Sequence, residues 1–235
     1  MRRRTPDVFI PARVGGLEDR LGDAAVDAAI DALSPLVTPA RLARLDAVIS
    51  ARLGSVCVLM DAPYDPHNGS AVVRTMDAFG VQDLHVVERQ APFTLHASVA
   101  RGSHKWLDVF TYQTPEAALS RLATDGYEIV ATHPEGALLP EELAGVPRLC
   151  VVLGNEHDGI DPRLLAGASR TVRVPMRGFA ESLNVSVTAA LLLHAAGSKR
   201  PGDLPAMRRR RLLLRGLLYS LEHAEEILAA RGVLP

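Results

Sequence analysis

The sequence holds only two cysteines, almost no net charge and no long uninterrupted apolar run. Cys57 and Cys150 each lie inside an apolar stretch that reads as a buried strand, with no second Cys or His nearby at metal-ligand spacing. They therefore read as core residues, no metal site is expected, and a reducing, cytoplasmic setting follows. A formal net charge of −1 means that the total demands no polyanionic partner, although Lys and Arg can still gather on one face. The first residues, MRRRTPDVF, are basic but lead into no apolar h-region, so a secretory signal is not expected. The longest apolar stretch, Val185–Gly197, is interrupted by Ser, Thr and His and falls short of the roughly 20 residues of a membrane span. Two nucleotide signatures are also missing. Gly154 to Gly159 is not followed by Lys and Ser/Thr, and no G-x-G-x-x-G opens a helix, which excludes a P-loop and an ordinary dinucleotide fingerprint.

What is present is a chain of 235 residues, 48% hydrophobic and 23% charged, with material for one sizeable core and a small appended element. It divides as 1–36, an N-terminal helical extension; 37–54, a second helix; 55–200, an α/β domain; and 201–235, a basic C-terminal helix. In the first segment apolar residues recur at helical spacing from Leu17 to Leu33, with Leu21, Ala24, Ala25, Ala28 and Leu33 on one broad face until Ser34-Pro35 breaks it. Thr38 followed by Pro39 reads as N-cap and first helical position. From residue 55, β-rich runs at 56–60, 84–87, 127–131, 149–153 and 171–174 alternate with helical patterns at 70–79, 115–123, 162–165 and 183–196. That alternation predicts an α/β fold, a mostly parallel sheet with helices on both faces. The last helix is expected over 207–230, with Arg208, Arg209, Arg210, Arg211 and Arg215 crowding its first turns against the helix dipole. A solvated face and an anionic partner are both open readings of that run.

Three segments place polar or glycine residues at strand ends, where open α/β sheets hold ligands. In the first, 65–74, residues 66–69 read as a turn, Asn68 or Ser70 as the cap of the next helix, and Arg74 as a cation interrupting the apolar pattern Val72, Val73, Met76, Phe79. The second, 150–160, is a buried strand ending in a polar loop between Gly154 and Gly159, whose glycines permit close approach of backbone to ligand. In the third, 174–186, Ser182 and Asn184 precede an almost wholly apolar helix and can act simply as its caps.

Together, N-G-S-A-V-V-R-T, V-V-L-G-N-E-H-D-G-I and V-P-M-R-G-F-A-E-S-L-N-V-S-V occur in the order found in the SpoU/TrmH branch of the SPOUT methyltransferases, which this chain resembles over about residues 38–200. Arg101 to Trp106 and Pro66 to Asn68 look particularly like the tRNA D-loop guanosine 2′-O-methyltransferases of that branch. The resemblance implies a deep trefoil knot late in the domain, a rare exception to unknotted chains. It implies S-adenosyl-L-methionine held by Thr132, His133, Leu153, Gly154, Asn155, Glu156, Gly159, Ile160, Val174, Pro175, Met176, Gly178, Ser182 and Leu183, with Pro134 in the same turn as His133. It implies in-line attack of a ribose 2′-oxygen on the methyl group, with Arg74, Asn68, Glu156, Ser182 and Asn184 as catalytic residues. A guanidinium, with a pKa above about 12, is a poor proton acceptor. Arg74 therefore reads either as a base or as a fixed cation beside the developing alkoxide, with the RNA's own 5′ phosphate as alternative acceptor.

For the RNA, most simply a tRNA, the resemblance implies contacts from Arg41, Arg44, Arg52, His67 and Lys105, Arg41 and Arg44 lying one turn apart on a helix. It also implies a homodimer built on the helices after the first and third motifs. The alternatives are the same chemistry on ribosomal RNA or another tRNA nucleotide, a noncatalytic RNA-binding member of the fold, and a doubly wound nucleotide-binding enzyme of other chemistry.

Overall fold

The computed structural model describes residues 8–12, 15–89, 91–155 and 157–234. Along the chain its elements are β1 (Val8–Phe9), α1 (Leu17–Arg20), α2 (Asp23–Leu33), α3 (Pro39–Ser50), β2 (Leu53–Asp61), α4 (Pro66–Ala78), β3 (Val81–Val87), β4 (Leu95–His96) and α5 (Ala97–Ala100). There follow β5 (Asp108–Tyr112), α6 (Pro115–Thr124), β6 (Glu128–Thr132), β7 (Leu149–Leu153), α7 (Pro162–Ala166), β8 (Arg170–Val172), α8 (Val185–Gly197), α9 (Ala206–Leu218) and α10 (Ala224–Ala230). They fall into two units, one holding residues 8–12 and Leu53–Pro201, the other residues 15–52 and 202–234.

The larger unit is built on a six-stranded sheet in the order β5-β3-β2-β7-β6-β8, every neighbouring pair parallel. Two buried clusters cover it. One gathers Val58, Met60, Val151 and Leu153 with Val72, Met76, Leu192 and Leu193 from α4 and α8; the other gathers Cys57, Leu59, Cys150 and Val152 with Ala118 and Leu122 of α6 and Leu164 of α7. Helices on both faces leave β2 and β7 buried along almost their whole length, which is why they read as continuous apolar runs without alternation. Cys57 and Cys150 face each other in register, both buried; their shared desolvation pushes the Cys57 thiol well above its usual range, as inert core thiols require. Strand β5, absent from the sequence reading, is an edge strand whose Asp108, Phe110, Thr111 and Tyr112 are only half-buried, so its apolar signal is weak. β1 and β4 form a separate antiparallel ribbon.

In the smaller unit, Thr38 caps α3 as expected, its side chain accepting from the Arg41 N–H, with Pro39 at the first position. Two helical expectations are corrected. Leu21 is extended and divides 17–33 into α1 and α2. The break resets the buried face to Val26, Ala29, Ile30 and Leu33, leaving Ala24 and Ala28 exposed. The stretch 207–230 is likewise two helices, α9 and α10, separated by a turn at whose end His223 adopts a left-handed conformation.

Three arginines of the basic run of α9 pair with acidic residues of α1 and α2. Arg210 pairs with Asp27, and Arg211 pairs with Asp23 at 2.7 Å while donating to the carbonyls of Glu18 and Leu21. Arg215 Nε donates to Glu18 Oε1 at 2.6 Å, with both residues below 10% exposure. Breaking a buried pair strands one charge in low dielectric, at a cost of about 3–5 kcal/mol. Arg215→Ala should therefore lower the unfolding free energy measured by chemical denaturation by about 3 kcal/mol, while Glu18→Met with Arg215→Met should recover most of the loss; equal stability of the single variant and wild type would show the pair contributes nothing.

Candidate functional site

The carboxyl ends of β6, β7 and β8 surround a cavity of about 700 Å³ in the larger unit. Thr132, His133 and Pro134 line it after β6; Leu153, Gly154, Asn155, Asp158, Gly159 and Ile160 after β7; Val174, Met176 and Glu181 to Asn184 after β8; and Val185, Thr188 and Leu192 from α8. Of the residues assigned to cofactor binding, Pro175 and Gly178 are exposed and do not line it, because the third loop turns outward between Met176 and Glu181 and leaves Phe179 fully in solvent. Glu156 lies outside the described residues. Sequence reasoning missed Leu165, Val172, Arg173, Val185, Thr188 and Leu192, which occupy positions ordinary for strand, loop and helix and become wall residues only through the folding of the loops.

Backbone proximity explains two glycines. A side chain at Gly154 would place its Cβ 2.5 Å from the Gly159 carbonyl carbon, so the 155–159 turn closes only on glycine. At Gly136 a Cβ would collide with the Val172 and Arg173 main chain. That glycine lets the segment after β6 run against β8, where the Leu138 N–H donates to Thr171 O at 2.9 Å and the Arg173 N–H to Leu138 O at 3.0 Å. Within the turn, Asn155 Oδ1 accepts from the His157 and Asp158 N–H groups at 2.9 and 2.8 Å. Its Nδ2 is buried with no partner among the described residues.

A buried carboxylate fixes this loop to the sheet. Asp61, the last residue of β2, accepts from the Asp161 N–H at 2.7 Å and from Arg89 Nε at 3.0 Å, with a second close contact to Arg89 Nη2. Asp161 caps α7, taking the Arg163 N–H at 2.8 Å and two bonds from the Arg163 guanidinium. Those bonds, with Arg89 nearby, hold the Asp161 carboxyl down at about 2. Asp61 closes an apolar run as an isolated charge, a signal readable in sequence; its partner Arg89 is not.

The first motif folds differently from the expected turn. Pro66 starts α4, so 66–69 is its first turn, and the cap is Asp65, whose side chain accepts from the His67 N–H at 2.8 Å, rather than Asn68 or Ser70. That frees Asn68 to accept from Asn184 Nδ2 at 2.9 Å. Asn184 also caps α8, its Oδ1 accepting from the Ser186 N–H. The start of α4 and the start of α8 thus meet at the cavity rim. Ser182 lies on the wall. Arg74 does not; it is exposed on α4, seven residues from the exposed His67 and so on the same helical stripe.

The expected RNA-contacting cations are scattered in environment. Arg44 and Lys105 are exposed. Arg41 is half-buried, its Nε donating to Ser220 Oγ at 2.9 Å. Arg52 is corrected: at 1% exposure its guanidinium is enclosed and reaches no phosphate in solvent. His67 stacks on His96 with ring centroids 4.2 Å apart. Among the described residues no group of His, Cys, Asp and Glu is arranged to hold a metal, and no helix is long and apolar enough to cross a membrane.

The parallel sheet, with its loop-built cavity at three adjacent strand ends, falls almost entirely within the stretch that a family profile covers: the chain belongs to the SpoU rRNA methylase family, whose profile matches residues 55–194. It is 35% identical to the tRNA (guanosine(18)-2′-O)-methyltransferase of Escherichia coli (strain K12), over 77% of this chain and 83% of that one. Its fold is similar to the crystal structure of the A. aeolicus TrmH/SpoU tRNA modifying enzyme, with TM-score 0.69 and 29% identity over 78% of this chain and 98% of that one. It is also similar to the AdoMet-bound rRNA methyltransferase of Sinorhizobium meliloti, with TM-score 0.53 and 26% identity over 62% and 57% of the two chains.

The depressed Asp161 carboxyl fixes a pH dependence. A group whose folded value lies below its unfolded value, about 3.9 for Asp, stabilises fully above the unfolded value and loses that contribution as pH falls through the folded one. Wild type should exceed Asp161→Asn in urea stability at pH 6, and the gap should shrink between about pH 4 and 2. A gap that does not change with pH would show that the charge of Asp161 plays no part.

Proposed function

We propose that this chain transfers the methyl group of S-adenosyl-L-methionine to a ribose 2′-hydroxyl of tRNA, at guanosine 18 of the D-loop, and that it does so as a cytoplasmic homodimer. The observation that carries the reading is the Asn184–Asn68 hydrogen bond, which joins the third motif, on the cavity wall, to the helix bearing Arg74. The names and activities of the relatives support the substrate, and the resemblance of the motif order supports the chemistry.

The cavity suits the cofactor. Its walls join apolar side chains such as Leu153, Ile160, Val172 and Leu192 to polar ones, a mixture that suits an adenosine with its ribose. Asp158, Glu181 and Arg173 supply both signs of charge for a ligand that carries both. When bound, S-adenosyl-L-methionine supplies an electrophilic methyl group. The chain supplies the rest: the loops after β6, β7 and β8 orient and enclose, and alignment of the two reactants is worth on the order of 7 kcal/mol of barrier in favourable cases. Arg74, on the exposed stripe it shares with His67, acts as a fixed cation for the ribose oxygen and the adjoining phosphate as the 2′-hydroxyl gives its proton to the RNA's own 5′ phosphate. Asn68, Ser182 and Asn184 hold the approach, and the knot implied by the motifs belongs to the same reading.

For the homodimer, α8 presents Val187 and Leu191 to solvent, and Phe79 at the end of α4 sits against His194, ring centroids 5.5 Å apart. Two helices with an exposed apolar face more than their own sheet needs are suited to pairing with a second copy. RNA backbone contacts fall to Arg44, Lys105 and His67, with Arg41 in part.

Labelled S-adenosyl-L-methionine incubated with bulk tRNA, followed by digestion, should place 2′-O-methylguanosine at position 18, and Arg74→Ala should abolish transfer while isothermal titration gives cofactor affinity within a few-fold of wild type. Near-normal turnover in that variant would remove Arg74 from the mechanism. Replacing Arg41 and Arg44 together by Ala should weaken tRNA binding and flatten the dependence of log affinity on log salt by roughly one unit per lost phosphate contact; an unchanged slope would remove α3 from the RNA face.

A further inference from the structure

The chain is poor in aromatic residues, at 4% of its sequence. Four large aromatic side chains are nevertheless exposed among the described residues: Tyr64, Phe79, Phe179 and Tyr219. Tyr64 differs from the others in being held by a ring from a second loop of the site. It lies between β2 and α4, four residues before Asn68, and its ring meets the edge of His157, in the turn after β7, at 5.4 Å between centroids and 67° between planes. The His157 N–H is in turn held by Asn155 Oδ1 at 2.9 Å, and Asn155 lines the cavity. A flat ring, 42% exposed, is thereby fixed beside both the cavity turn and the helix start that carries Asn68.

We propose that Tyr64, backed edge-on by His157, is a nucleobase-stacking subsite that receives the base of the target nucleotide or its immediate neighbour. The inference rests on the methyltransferase reading above. A 2′-oxygen can enter the cavity only if its nucleotide leaves the stack in which the folded RNA holds it, and that unstacking opposes binding. Hydrogen-bond donors and cations at the site hold the ribose and phosphate but do nothing for the base face. An exposed aromatic ring with a fixed orientation restores the lost stacking, and it does so for any base. The edge contact with His157 matters because a ring already held in place loses less freedom on stacking than one that must be ordered. Nothing in this placement calls for the Tyr64 hydroxyl, so the ring alone is the functional group.

The test separates stacking from a merely structural prop for the cavity turn. With a tRNA transcript as substrate, Tyr64→Ala should raise KM for RNA about tenfold, leave kcat and S-adenosyl-L-methionine affinity within about twofold, and leave the modified position unchanged. Tyr64→Phe and Tyr64→Trp should restore the wild-type KM. Fluorescence anisotropy with a labelled transcript should give the same tenfold loss in binding without turnover, and the loss should vanish when the target and its two neighbours are made abasic in turn, at one of those three positions. A parallel loss of S-adenosyl-L-methionine affinity in Tyr64→Ala would assign the residue to propping the turn and overturn the proposal, as would an unchanged RNA KM or a Tyr64→Phe variant as impaired as Tyr64→Ala. A wild-type protein that binds the cofactor and transfers no methyl group to tRNA would instead defeat the methyltransferase reading itself, and the subsite with it.

Discussion

The cavity depends on one buried carboxylate. Asp61 ends the central strand β2 with its side chain fully enclosed, and a bare carboxylate there would be untenable. It is made tenable by Arg89 and by the Asp161 main-chain N–H. The second of these partners converts an electrostatic necessity into geometry, because Asp161 is both the end of the cavity turn and the cap of α7. The turn from Gly154 to Ile160 is thus held at one end by strand β7 and at the other by a charge on the neighbouring strand. Gly154 and Gly159 let it fold tightly between those two anchors.

A second consequence concerns charge. The overall balance of −1 conceals a strong segregation in the smaller unit, where Glu18, Asp23 and Asp27 of α1 and α2 meet Arg215, Arg211 and Arg210 of α9. Read along the sequence, the arginine run leaves a solvated face and an anionic partner both open; in three dimensions three of its members are already matched. The dipole penalty of basic residues near the start of α9 is offset by these pairs. Cation clusters in sequence therefore carry information about partners only after the acidic residues that fold against them are known, and the same reasoning removes Arg52, whose burial no spacing rule could reveal.

The parallel sheet was legible because strands buried on both faces leave a simple trace: β7 coincides with its apolar run 149–153, and β2 differs only at its ends. The strand-end motifs were legible for a related reason, since abrupt change from apolar to polar or glycine marks where backbone leaves the sheet. What escaped was whatever depends on competition between neighbours. Asp65 outcompeted Asn68 for the cap because Pro66 fixes the first helical position, a local signal that the expectation of a turn obscured. The edge strand β5 and the break between α9 and α10 carry no glycine or proline and no continuous apolar run, so only tertiary packing decides them.

The release of Asn68 from capping is what gives the site its rim. A capping side chain has its oxygen committed to its own helix; one turn further in, the amide is available to a second element, here Asn184 Nδ2. Asn184 for its part caps α8 with Oδ1 and reaches α4 with Nδ2, using opposite ends of one amide. Exchange of either asparagine for aspartate would retain an acceptor but, at Asn184, remove the only donor in the bridge, and at Asn68 would set a charge against an amide already engaged. The pairing of two amides, rather than of an amide and an acid, joins α4 to α8 without adding a charge at the contact.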